Sequence, residues 1–277
     1  MNKKLIWTIA KKDIRAITSN KQIWLPMLIL PVILCVFMPG FVIYFGKMAD
    51  VASINGIDTL KMMIKNLPEG ELRDMLDSLK DEKTQLIYLF VNYLLMPLFL
   101  LIPVLSSVMI AANSFVGEKE RRTLESLLFA PIQIKDLFIG KVLASFIPTI
   151  ALTYGSFILC AIVVNSLTYS TFNQMLLPNT NWIILLFLLV PVISVFTILF
   201  NVLISARVKG FQEAQQLGGT VVLPVIAIMV SQAAGLFLLN PIIIVIIAAV
   251  LMIVNYLLLN RIAKMNERHV LFEKQVH

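Results

Sequence analysis

Six stretches of this chain carry no Asp, Glu, Lys, Arg or His: 24–46, 86–113, 142–164, 181–205, 220–239 and 241–260. As a helix, about twenty apolar residues cross the ~30 Å hydrocarbon core of a bilayer. Lipid offers the backbone no hydrogen-bond partners, so a spanning segment must satisfy its own. A transmembrane barrel would need alternating segments of about ten residues instead. The expected fold is therefore an all-α integral membrane protein of six transmembrane helices. Composition agrees: of 277 residues 59% are hydrophobic and 14% charged, where a soluble domain is about a quarter charged. Length alone would suit one or two soluble domains, but this composition excludes them. It also excludes disorder, collagen, a coiled coil and a secreted disulfide scaffold.

Only Asn240-Pro241 separates the last two stretches. They read as a tight helical hairpin, with a single bent or re-entrant segment as the competing reading. Pro31, Pro39, Pro97, Pro103, Pro148, Pro191 and Pro224 fall inside the stretches. Each removes a helix hydrogen bond and predicts a kink, either for packing or as a hinge.

The charges sit in the connections. Of the 23 Lys and Arg, six lie between Lys47 and Lys83, among eight acidic residues; the other 17 occupy the N-terminal segment, the loops near 117–141 and 207–209, and the tail. Positive charge marks the cytoplasmic side, so both termini are expected in the cytoplasm of a multi-pass cell-membrane protein. Topology thus accounts for the net charge of +7, and no nucleic-acid partner is required. No cleavable signal peptide is evident. Cys35 and Cys160 fall within spans and read as buried free thiols without metal-ligand spacing.

Residues 1–22 read as an amphipathic helix. Leu5, Ile6, Trp7, Ile9, Ala10, Ile14, Ala16 and Ile17 fill one arc, and Lys4, Lys11, Lys12 and Arg15 the opposite one. Such a helix can lie on membrane lipids with its basic face toward anionic headgroups, or act mechanically. Asp13 breaks the pattern, since it falls inside the apolar arc. Residues 47–85 form the one sizeable external segment and read as a small extracellular helical cap, either passive or gating, with Leu72, Met75, Leu76 and Leu79 as an apolar stripe.

The loop 117–141 contains a helical pattern that Pro131 ends. Glu118, Arg121, Arg122 and Glu125 share one face, and Leu124, Leu127 and Leu128 another. Periodicity alone favours a solvated connecting helix, because Glu-to-Arg pairs at this spacing stabilise any exposed helix. A partner-binding or motion-transmitting helix fits the same residues.

The stretch Glu118-Lys119-Glu120-Arg121-Arg122-Thr123-Leu124-Glu125, with Leu127, Leu128, Pro131 and Gly140-Lys141, resembles the cytoplasmic motif of ABC-2 type ABC transporter permeases. Arg122 stands where that motif usually has Gly. Gln212-Glu213-Ala214-Gln215, the apolar run ending at Pro224, and Lys12-Asp13 also resemble the family. The resemblance implies a type V exporter-like architecture, in which 1–22 is the connecting helix and 117–141 holds a coupling helix. It further implies a permease dimer, most simply a homodimer, served by two copies of a separate ATP-binding subunit. That subunit would bind ATP and Mg, with no cofactor in this chain. Glu118, Glu120, Arg121, Thr123, Leu124, Glu125, Leu128 and Pro131 would dock the ATPase and transmit force. The cap is shorter than in sodium-exporting members.

Absences agree with that division of labour. Gly140-Lys141 is followed by Val142 and lacks the upstream Gly of a phosphate-binding loop, so the chain itself is not expected to be an enzyme. No His-Glu-x-x-His exists, and the only histidines are His269 and His277. An ion-coupled secondary transporter or channel, or a sodium-exporting ABC permease, is the alternative; spans without ionisable residues weigh against proton coupling. Asn92, Tyr93, Thr153, Tyr154, Asn201 and Gln232 are candidates for a substrate path, although interhelical hydrogen bonding explains each equally well. An uncharged lining suits an amphipathic or hydrophobic cargo such as a peptide antibiotic, a drug or a lipid.

Overall fold

The computed structural model describes residues 2–48, 75–76, 78–79, 81–117, 134–208 and 210–265. Among them every regular element is helical. Helix α1 spans Lys3–Ser19. Six longer helices follow, each long and apolar enough to cross a membrane: α2 (Trp24–Met48), α3 (Glu82–Gly117), α4 (Ile134–Phe172), α5 (Thr180–Ser205), α6 (Phe211–Ala233) and α7 (Pro241–Met265). The chain is an all-α multi-pass membrane protein.

Several boundaries differ from the sequence expectation, each for a local reason. Helix α4 has 39 residues, about 58 Å at 1.5 Å per residue, and overruns the apolar core at both ends. Its first turns, before Val142, leave a helical surface beyond the apolar stretch. Helix α6 starts at Phe211 rather than near 220, because Ala214 is buried with Ala112, Val116 and Val208 and holds that polar turn against α3. It stops at Ala233 rather than 239. Gly235 has φ 74°, its N–H donates to the Gln232 carbonyl at 3.0 Å, and Leu236 N–H donates to Ser231 at 3.0 Å. This paired closure, with glycine in the left-handed region, terminates helices. Asn240 then caps α7, accepting from Ile243 N–H at 2.9 Å, and Pro241 occupies its first turn. The last two apolar stretches are therefore two separate helices.

Helix α3 is the most buried and α7 the least. Helices α2, α4, α5 and α6 all pack on α3, and α7 packs on α5. The core centres on Phe99, Phe157 and Trp182, whose rings meet at 5.3–6.0 Å. The Trp182 indole N–H donates to the Val91 carbonyl at 3.3 Å.

Three prolines act differently from simple kinks. A π turn precedes Pro39 (Ile33–Phe37), Pro97 (Phe90–Leu94) and Pro191 (Leu185–Leu189). A proline ring clashes with the carbonyl four residues back, and a wider turn moves that carbonyl away. In α5 the Val190 N–H bonds Leu185, so residue 191 would donate to Leu186. Proline has no N–H to give, and the Tyr154 hydroxyl from α4 donates to Leu186 instead, at 3.2 Å. Pro31, Pro103, Pro148 and Pro224 lie in α-helical backbone.

Away from α1, the ends of α3, α4 and α5 are tied by side-chain amides. The Asn165 Oδ1 accepts from the N–H groups of Leu176 and Leu177, and its amide donates to the Leu177 carbonyl at 2.6 Å. Asn92 and Asn179 are hydrogen-bonded across α3 and the start of α5. Of the expected cap, Leu76 is fully buried with Leu89 and Tyr93, and Gln85 donates to the Leu76 carbonyl at 2.9 Å. Residues 49–74 of the cap lie outside the described part of the chain. Cys35 and Cys160 are buried and free.

Candidate functional site

The densest polar constellation in the described chain is where α1 meets the ends of α3 and α4. Asn2 starts α1, accepting from Leu5 N–H at 3.4 Å. Ile6, Ile9, Ala10, Asp13 and Ile17 then form one buried stripe. Their spacing of three and four residues puts them on a single helical face, and that face packs along α4. The broad apolar arc read from the sequence is thus split. Trp7 lies off the stripe and is left 56% exposed, while α4 covers the buried side of α1.

Two features of α4 allow this docking. Gly140 brings the backbones close: a Cβ there would sit 2.9 Å from Ile9 Cγ2 and 3.1 Å from the Ile6 carbonyl oxygen. Asp136, one turn earlier, accepts from the Asn2 N–H at 3.0 Å. At the other end of the stripe, Ile17 packs with Met27 and Ile110, joining α1 to α2 and α3.

Asp13 is no fault in this setting. Its Oδ2 accepts from the Ser114 hydroxyl at 2.8 Å and lies 3.5 Å from Lys141 Nζ. Lys141 Nζ also donates to the Ser114 carbonyl at 2.5 Å and stands over the Phe115 ring, 5.6 Å from its centre. The Asp13 and Lys141 side chains are only 7% and 3% exposed. Burying two charges costs several kcal/mol each, offset only when they are close and further hydrogen-bonded, as they are here. Ser114 belongs to the terminal π turn of α3, Asn113–Gly117. One carboxylate from α1, one ammonium from α4, and a hydroxyl and carbonyl from α3 therefore close a single cluster.

The residues expected to contact an ATPase, Glu118, Glu120, Arg121, Thr123, Leu124, Glu125, Leu128 and Pro131, lie outside the described residues. The cluster sits on both flanks of that segment, three residues before Gly117 on one side and at Lys141 on the other.

The candidate path residues are not brought together; among the described residues no hydrogen bond joins any two of them. The Asn92 amide donates to the Tyr88 carbonyl at 3.0 Å, and the neighbouring Tyr93 is buried against Leu76 and Leu89. Thr153 bonds back to Thr149 at 2.7 Å, and Tyr154 bonds Leu186. Asn201 donates to the Thr197 carbonyl at 2.9 Å, and its Oδ1 lies against Gly218, where a Cβ would stand only 2.2 Å away. Gln232, on α6, is fully buried, and among the described residues neither of its amide atoms finds a hydrogen-bond partner. Ser106, Ser156 and Ser194 likewise bond back to carbonyls four residues earlier.

Asp13, Ser114 and Lys141 were not singled out by sequence reasoning as a group. The available signal was an acidic residue inside an apolar arc, which needs a buried cation to be tolerated. Among the described residues no group of His, Cys, Asp and Glu gathers as metal ligands. The Asp13, Ser114 and Lys141 constellation joins three helices at one buried point.

The family model described as ABC-2 family transporter protein matches residues 7–256. Neither curated proteins nor solved structures gave a significant match.

Proposed function

The chain belongs to the ABC-2 transporter family, and we propose that it forms the pathway half of an ATP-driven exporter for amphipathic or hydrophobic cargo. Membership makes it the permease component of an ABC transporter, a membrane transport subunit whose partner is an ATP-binding subunit. Beyond that, our reading is a homodimer with two ATPase copies, set in the cell membrane with both termini in the cytoplasm.

The observation that carries this reading is the charge distribution. The α1 side holds 17 of the 23 basic residues, and the apolar stretches hold no charge. The first fact supports a cytoplasmic α1 end, where an ATPase is found. The second supports a cargo that needs no ionic partner at membrane depth. The segment 118–131 would dock the ATPase through Glu118, Glu120, Arg121, Thr123, Leu124, Glu125, Leu128 and Pro131. Gln232 supports the path assignment best, because an unpaired buried amide is a costly feature unless something bonds to it.

Mass spectrometry of the tagged chain purified from its native membrane in mild detergent tests the reading. A stoichiometric ATP-binding subunit is expected, retained by the parent and depleted by Thr123→Ala or Glu125→Ala. A clean preparation without any ATPase, in a detergent that preserves a control transporter, would overturn it.

A further inference from the structure

We propose that Asp13, Ser114 and Lys141 form a clasp that makes α1 and the adjoining ends of α3 and α4 one rigid body, and that Asp13 and Lys141 are positioning residues for energy coupling. The inference rests on the exporter reading for its coupling half. Its structural half stands on geometry alone.

Each of the three helices contributes one part that the others need. Asp13 from α1 faces Ser114 Oγ at 2.8 Å and Lys141 Nζ at 3.5 Å. Lys141 from α4 also reaches the Ser114 carbonyl in α3. If α1 moved away alone, the Asp13 carboxylate would lose both the Ser114 hydroxyl and the Lys141 ammonium, and Lys141 would lose its buried counter-ion. Separating the members of a buried ion pair costs more than breaking a surface pair. Sliding is opposed as well, because Gly140 seats Ile9 and the Ile6 carbonyl at near-contact distance, and Asp136 holds the Asn2 N–H. The α1 docking surface is thus pinned by charge at two places about three helical turns apart, with a close backbone approach between them.

The consequence is directional. Any displacement of the α3 and α4 ends that flank 118–133 carries α1 with it. Through Ile17, Met27 and Ile110 the same displacement reaches the start of α2. Lipid anchorage alone would leave α1 free to stay in place while α3 and α4 moved.

The test uses the full chain with its co-purified ATP-binding subunit, in nanodiscs. Spin labels at Thr8→Cys and Lys135→Cys, both exposed positions on α1 and α4, report the α1–α4 distance by pulsed electron resonance. With Cys35 and Cys160 replaced by Ala and labelled protomers diluted into unlabelled ones so that a dimer carries one labelled copy, the parent should give one narrow distribution, unchanged between the nucleotide-free and the vanadate-trapped ATP states. Asp13→Asn should broaden it at least about twofold. ATP turnover should fall about tenfold, equivalent to about 1.4 kcal/mol in the barrier, while the KM for ATP stays within about twofold. Asp13→Glu should restore both. A narrow distribution in Asp13→Asn would overturn the clasp. Broadening with unchanged turnover would overturn the coupling role of Asp13, and a parent distance that changes on trapping would overturn the rigid body. Should Asp13→Asn fail to accumulate in the membrane, Ser114→Ala, which keeps the ion pair, carries the test with an expected loss of about threefold. A parent that co-purifies without an ATPase refutes the exporter reading, while the label pair still decides the clasp.

Discussion

Adding one methyl group at Gly140 should undock α1, and the structure sets the size of the effect. A Cβ at position 140 would meet Ile9 Cγ2 at 2.9 Å, Ile9 Cβ at 3.0 Å and the Ile6 carbonyl oxygen at 3.1 Å. None of these is the far end of a flexible chain. Ile9 is β-branched and held to one rotamer in a helix, and the Ile6 oxygen is backbone. Helix α1 must therefore lift by several tenths of an ångström, and forcing a methyl into such a contact costs about 1–3 kcal/mol. An opposing term exists, since alanine favours a helix over glycine by about 0.5–1 kcal/mol. Helix α4 is helical whether or not α1 is docked, so that gain cancels in the docking equilibrium. The fraction of undocked α1 should then rise about 5- to 150-fold.

Hydrogen exchange of the α1 amides in nanodiscs reads this directly, because exchange there proceeds through local opening. Gly155→Ala is the matched control: it lies on the same helix, and a Cβ there meets nothing within 4 Å. Gly140→Ala should speed exchange across residues 6–17 by that factor, and Gly155→Ala should leave it unchanged. Equal protection in the two variants would refute the close-approach argument.

Three further outcomes follow from the packing. Tyr154→Phe strands the Leu186 carbonyl and should cost about 1–2 kcal/mol of thermal stability in detergent; the loss should shrink when Pro191→Ala supplies an N–H, and equal losses in both backgrounds would contradict the π-turn account. Gly218→Ala should destabilise by about 1–3 kcal/mol through the 2.2 Å approach to Asn201 Oδ1, and Asn201→Ala in the same chain should recover most of it; a neutral single variant would count against that contact. Gln232→Leu removes two buried unpaired polar atoms and should leave the Tm unchanged or raise stability by about 1–2 kcal/mol, whereas a lower Tm would mean that the amide has a bonding partner in the membrane.

The six spans were legible because lipid imposes a rule that composition cannot hide: long runs without charge must be helices that satisfy themselves. Helix ends were less legible where local chemistry overrode hydropathy. The polar start of α6 is helical because Ala214 finds a buried neighbour in Val116, a fact held in another part of the chain. Its end was written in the sequence as Gly235, yet hydropathy runs straight through that glycine to Leu239. The path candidates show a different limit. Polar residues in apolar helices announce hydrogen bonds without naming the acceptor: four of the six donate to backbone carbonyls, Asn92, Thr153 and Asn201 to one a turn back on the same helix and Tyr154 to one on α5. Asp13 shows how a misfit carries information. Judged against its own helix it spoils an apolar face. Judged against the cost of an isolated buried carboxylate, it demands a cation from another element, and Gly140-Lys141 supplies both the space and the charge. The single residue that broke the amphipathic pattern thus specifies where α1 docks, and the pairing became visible only once two segments 128 positions apart, Asp13 and Lys141, were placed side by side.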